Sequence, residues 1–258
     1  MVGKMKVMNK RGQVAIWIIV AIAIFITLSL LFFLKGKPKI SESYDYGNPQ
    51  AFIELCARNA ILDAEKIIVS QGGFIEPRNF VSYNNVSIEY LCKNSGYFEP
   101  CIQQHPFLIE DIEKEIENYS KPIIKNCFQQ LSDELKRNNK EVNFNGFQFD
   151  FYLLPNRIRS EIVTNLRISD GNGANTYENF KVELISPLYS LGRMALNIAN
   201  DEAKYCYFEY VGYMALNKDL EISKKTLEDS SKIYSVKDVK SGQILNTAIR
   251  GCAIPAGY

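Results

Sequence analysis

The sequence is poor in the groups that most enzyme sites are built from. Its 258 residues contain one histidine and one tryptophan. It has no Cys-x-x-Cys pair, no Gly-x-Ser-x-Gly elbow, and neither Gly-x-x-x-x-Gly-Lys nor Gly-x-Gly-x-x-Gly. Those absences argue against a zinc ribbon, a serine-hydrolase elbow and a phosphate or dinucleotide loop. Neither charge dominates, with 30 basic and 29 acidic side chains. A basic surface suited to nucleic acid is therefore not expected. Low-complexity tracts and internal repeats are missing too. With 47% apolar and 23% charged residues, the composition is that of a folded protein.

What is present is unevenly placed. Val14 to Leu34 runs 21 residues without a charge, and as a helix it would span about 32 Å, close to a hydrocarbon core of about 30 Å. A core helix of a water-soluble protein rarely stays apolar on every face for so long. The segment is expected to cross the lipid bilayer once. Lys4, Lys6, Lys10 and Arg11 precede it, while Lys35, Lys37 and Lys39 follow it. That small bias favours the short N-terminus inside the cell and the remainder outside.

The cysteines make an independent case. Cys56, Cys92, Cys101, Cys127, Cys206 and Cys252 all follow the apolar run, and an even set on one side suits an oxidising exterior. Cys92 and Cys101 close the shortest loop and are the favoured pair. Cys56 with Cys127 would tie the first helix to the second, and Cys206 with Cys252 a late helix to the last strand, among 15 connectivities. Asn85-Val86-Ser87 and Asn118-Tyr119-Ser120 are glycosylation triplets of the kind used on exterior domains.

Lys10-Arg11-Gly12-Gln13-Val14-Ala15-Ile16 abuts the apolar run and resembles the class III signal peptide of archaeal type IV pilin-like proteins. The resemblance implies cutting between Gly12 and Gln13 by a prepilin-type peptidase, with the apolar helix retained. Trp17 stands at the fifth mature position, where many such pilins carry Glu, so single anchoring is favoured over filament assembly. Beyond the helix, Gln71-Gly72-Gly73, Tyr205-Cys206-Tyr207-Phe208-Glu209-Tyr210 and Arg250-Gly251-Cys252-Ala253 resemble pieces of archaeal surface proteins, a likeness that implies no activity.

Four segments follow: a basic leader over 1–12, the membrane or pilin-like helix over 13–34, a stalk over 35–47 and an exterior domain over 48–258. Asn48-Pro49 starts a helix that stops at Gln71-Gly72-Gly73. Phe74 to Cys101 reads as irregular. Pro106 opens a longer helix with a kink expected at Pro122. Its acidic face, Glu110, Asp111, Glu113, Glu115 and Glu117, is accounted for by the helix dipole and solvent. After Asn145-Gly146 the period becomes two and, with turn signals at Pro155-Asn156 and Asp170-Gly171-Asn172-Gly173, predicts an antiparallel meander. Pro187 opens a further helix, and strands are expected near Lys232–Val236 and Gln243–Cys252. The fold class is α+β, a disulfide-braced domain of helices packed on an antiparallel sheet.

Chemistry is sparse. His105, directly before a helix, reads as a loop or cap residue. Asp170, Asn172, Asn175 and Glu178 match a tight turn better than a calcium loop. No metal or cofactor is expected. All fifteen tyrosines follow the apolar run and suit either a small core or a contact surface. The chain therefore reads as a non-enzymatic, single-pass cell-surface protein acting in adhesion, interaction or a filament. The alternative is a membrane-tethered exterior hydrolase using two carboxylates, a pair that leaves no sequence signature.

Overall fold

The computed structural model describes residues 45–171, 173–255 and 257, together with Ile22. The leader, the Gly12–Gln13 junction, the remainder of Val14–Leu34 and the stalk up to residue 44 lie outside the described residues. Among the described residues no helix is long and apolar enough to cross a membrane.

The domain from Asp45 onward is α+β. Helix α1 spans Pro49–Ser70. Asn48 caps it by accepting from the Ala51 N–H at 3.1 Å, and Pro at the first position costs no hydrogen bond. Its apolar stripe (Phe52, Cys56, Ala60, Ala64, Ile68) is buried. Tyr46, in the segment expected to be stalk, packs on Phe52 with ring centroids 4.9 Å apart. Helix α2 spans Leu108–Arg137 and, as expected, continues past Pro122. Helix α3 spans Leu188–Tyr205 and α4 spans Tyr210–Leu216.

Strands β4 (Glu141–Leu154), β5 (Arg157–Ser169) and β6 (Ala174–Ile185) form the expected antiparallel meander. Phe149, Phe151 and Leu153 alternate inward, as do Phe180, Val182 and Leu184. Asn145-Gly146, after which the period of two begins, is a bulge within β4: the register shifts between Phe144 and Phe147, and Gly146 takes φ 107°. Turns and bulges make the same demand for positive φ, so the sequence signal is shared.

A second sheet corrects the expectation of one antiparallel sheet. Strands β1 (Phe80–Tyr83), β2 (Val86–Lys93), β9 (Ile244–Arg250), β8 (Lys232–Asp238) and β7 (Leu220–Thr226) lie in that order, with β3 (Ile102–Gln103) beside β2. The β2–β9 pair is parallel, so the sheet is mixed. Phe74 to Cys101 is likewise not irregular: β1 and β2 make a hairpin whose turn, Asn84-Asn85, has φ of 51° and 62°. Helix α1 touches β6 of one sheet and β9 of the other, and α3 touches strands of both. One apolar core consequently runs through the helix layer into both sheets. At its centre Phe128 of α2 stacks on Phe144 at 4.6 Å and meets Phe180 edge-on at 5.6 Å. Such pairs add roughly 0.5–1.5 kcal/mol each beyond the area they bury.

Three disulfides brace this arrangement. Cys56–Cys127 joins α1 to α2, Cys92–Cys101 closes the loop from β2 to β3, and Cys206–Cys252 joins the end of α3 to the segment after β9.

Candidate functional site

The chain leaves α1 through Gln71-Gly72-Gly73, and this crossing shapes the site. Gly72 (φ 81°) and Gly73 (φ 103°) occupy backbone conformations that L side chains rarely adopt. A Cβ on Gly72 would lie 3.1 Å from the Glu89 backbone N and O, and one on Gly73 3.1 Å from Leu108 Cδ1. Without side chains, the crossing lies directly against β2 and the start of α2. The Glu89 N–H donates to the Gln71 carbonyl at 3.1 Å.

Residues 74–78 then arch over the gap between β2 and α2, leaving a cleft of about 810 Å³. Its α2 wall carries Asp111, Glu115, Asn118 and Pro122, spaced to lie along one face. The arch contributes Phe74, Glu76, Pro77 and Arg78, β2 contributes Glu89, and His105 stands between them.

His105 is flanked by two carboxylates. Its Nε2 lies 3.4 Å from Glu89 Oε1 and its Nδ1 3.3 Å from Asp111 Oδ2. A neutral ring can donate to only one of the two, a protonated ring to both. Phe74 packs on the ring at 4.3 Å. Glu89 is nearly fully buried, and its charge is met by backbone donors: the Arg78 N–H at 2.6 Å and the Asn79 N–H at 3.1 Å. Hydrogen bonds of this kind are what allow a carboxylate to sit inside a fold. Glu115 accepts from the Ile75 N–H at 2.9 Å, which clamps the arch onto α2. Chemically the cleft is acidic and half-open, with the rings of Phe74, Tyr119 and Pro122 among its lining.

The arrangement absorbs His105, whose place before a helix suggested only a cap. Its acidic partners were not separable in the sequence from an ordinary solvated helix face; the one usable signal was the run of acids beginning five residues after the lone histidine, at Glu110. The other marked residues are scattered. Asn85 is exposed at the hairpin turn, whereas Asn118 lies mid-helix with Ser120 of its triplet fully buried. Asp170 and Gly173 form a turn between β5 and β6, closed by the Asp170 N–H to the Gly173 carbonyl at 3.2 Å. No group of three or more His, Cys, Asp or Glu side chains poised for a metal ion occurs among the described residues. The tyrosines do not share one surface: Tyr90 and Tyr234 are buried, while Tyr97, Tyr205 and Tyr207 are exposed.

A second polar cluster lies inside the fold. Glu202 of α3 is fully buried and accepts from the Tyr234 hydroxyl and the Lys232 ammonium of β8. Lys232 also donates to the Cys206 carbonyl at 2.9 Å. The cluster closes the αL end of α3 around the wholly buried Glu202, which points to a structural role. Comparison with models of protein families, with curated proteins and with solved structures finds nothing that matches this chain.

Proposed function

We propose that the chain is a single-pass, membrane-anchored cell-surface protein with a pilin-like signal, whose exterior domain acts by binding a partner and not by catalysis. The observation that carries this reading is the pairing of all six cysteines within one folded unit. Three disulfides are persistent outside the reducing cytosol, and every one follows the apolar run that reads as a membrane anchor. The acidic cleft supplies a concave contact point.

The reading predicts that protease added to intact cells cleaves the domain from the surface. Intact-mass measurement on native protein should find a chain beginning at Gln13. Complete protection from protease removes the surface assignment. A chain still beginning at Met1 reduces the signal to an uncleaved anchor.

One observation favours the rival reading, a tethered carboxylate-dependent hydrolase: Glu89, Asp111 and Glu115, carried by two different elements, meet in one cleft. Two of them are engaged with His105, which leaves Glu115 and Glu76 of the arch as the candidate carboxylate pair. Hydrolysis of a surface polysaccharide by the purified protein, abolished in Glu115→Gln, would establish that reading in place of binding.

A further inference from the structure

Resting on the binding reading above, we propose that the cleft between residues 74–78, β2 and α2 takes a lysine or arginine side chain of a partner protein. Four carboxylates line it, from Glu76, Glu89, Asp111 and Glu115, against the Arg78 guanidinium and the His105 imidazole. His105 is already engaged by Glu89 and Asp111. Glu76 makes no ion pair among the described residues, and Glu115 spends one oxygen, Oε2, on the Ile75 N–H. An acidic excess remains unspent, and it is the complement of one incoming cation.

Shape and walls specify more than charge. A volume of about 810 Å³ exceeds the needs of a bare ammonium ion and falls in the size range of organic ligand sites, roughly 300–1,000 Å³. Phe74 of the arch and Tyr119, Pro122 and Ile123 of α2 provide apolar lining along which the methylenes of Lys or Arg can lie while the charged head reaches the carboxylates. Glu115 is held from the backbone by Ile75, and Glu89 by Arg78 and Asn79. Little ordering entropy is then lost when the cation arrives. Arg78 brings a permanent cation to the lining. Its backbone N–H serves Glu89, but its exposed guanidinium makes no ion pair among the described residues, so its side chain is dispensable for the site and adverse to a second cation.

The test uses the full chain in detergent micelles, titrated calorimetrically with N-acetyl-arginine amide and with its neutral isostere, N-acetyl-citrulline amide. The arginine probe should bind in the millimolar range, and the citrulline probe about tenfold more weakly or not at all, the loss expected when a charge-assisted contact becomes a neutral one. The double variant Glu76→Gln/Glu115→Gln keeps an acceptor for the Ile75 N–H and should lose arginine binding. Arg78→Gln should tighten it, and added salt should weaken it. Equal binding of the two probes, no binding of either, or indifference to both variants would overturn the proposal. The surface assignment is judged separately by protease on intact cells, so either idea can fail alone.

Discussion

At the scale of single residues, Glu202 has the highest stake. Its carboxylate is fully buried and held by Tyr234 and Lys232. Breaking a buried pair strands the remaining charge and costs about 3–5 kcal/mol. Glu202→Ala should therefore lower the urea midpoint strongly, whereas Lys121→Ala, at an exposed helix pair, should change the unfolding free energy by less than about 1 kcal/mol. The same cluster sets an alkaline limit. Burial first, then the neighbouring Glu202, pushes the Tyr234 phenol well above its usual range. Above about pH 10 the unfolded chain releases this proton while the folded one retains it. Folding stability must then fall as pH rises. Urea titrations at increasing pH should show that decline in the wild type and a shallower one in Tyr234→Phe, the rest coming in part from Tyr90, whose phenol burial also raises.

At the scale of elements, the informative positions are those where the chain changes direction. Gly73→Ala combines a positive φ with a Cβ 3.1 Å from Leu108. The strain should cost about 1–3 kcal/mol and push the arch from α2. Thermal unfolding reads the first effect, and loss of arginine-probe binding the second. Gln71-Gly72-Gly73 was legible as a helix stop, and Asn48-Pro49 as a start, because caps are encoded within a few neighbouring residues. The hairpin of β1 and β2 was not. Residues Ile88 to Cys92 are all buried, since Ile88 and Tyr90 pack in one apolar cluster and Leu91 and Cys92 in the other. A strand covered on both faces loses the alternation that identifies it. Strands β4 to β6 keep one wet face and were read correctly from their period of two.

At the scale of the whole molecule, the disulfides span unequal stretches of chain. Cys56–Cys127 closes a separation of 71 residues and Cys92–Cys101 only 9. Because a cross-link restricts the unfolded chain more when its loop is longer, replacing Cys56 and Cys127 together by Ala should lower the denaturant midpoint more than replacing Cys92 and Cys101. A larger loss from the short loop would show that native packing, not loop closure, dominates. By itself the sequence determined what is local in cause: the three long helices and the Asn48 cap of α1, the three-stranded meander and an even set of cysteines sufficient for three bridges. Only the tertiary structure decided that β2 and β9 pair in parallel and that the chain after α1 crosses β2 on two glycines. That crossing brings Glu89 to His105 across 16 residues of sequence and places Glu115 beneath the arch. In the sequence those acids are indistinguishable from a solvated helix face and a strand charge, because their convergence depends on contacts between distant segments that leave no local period to read.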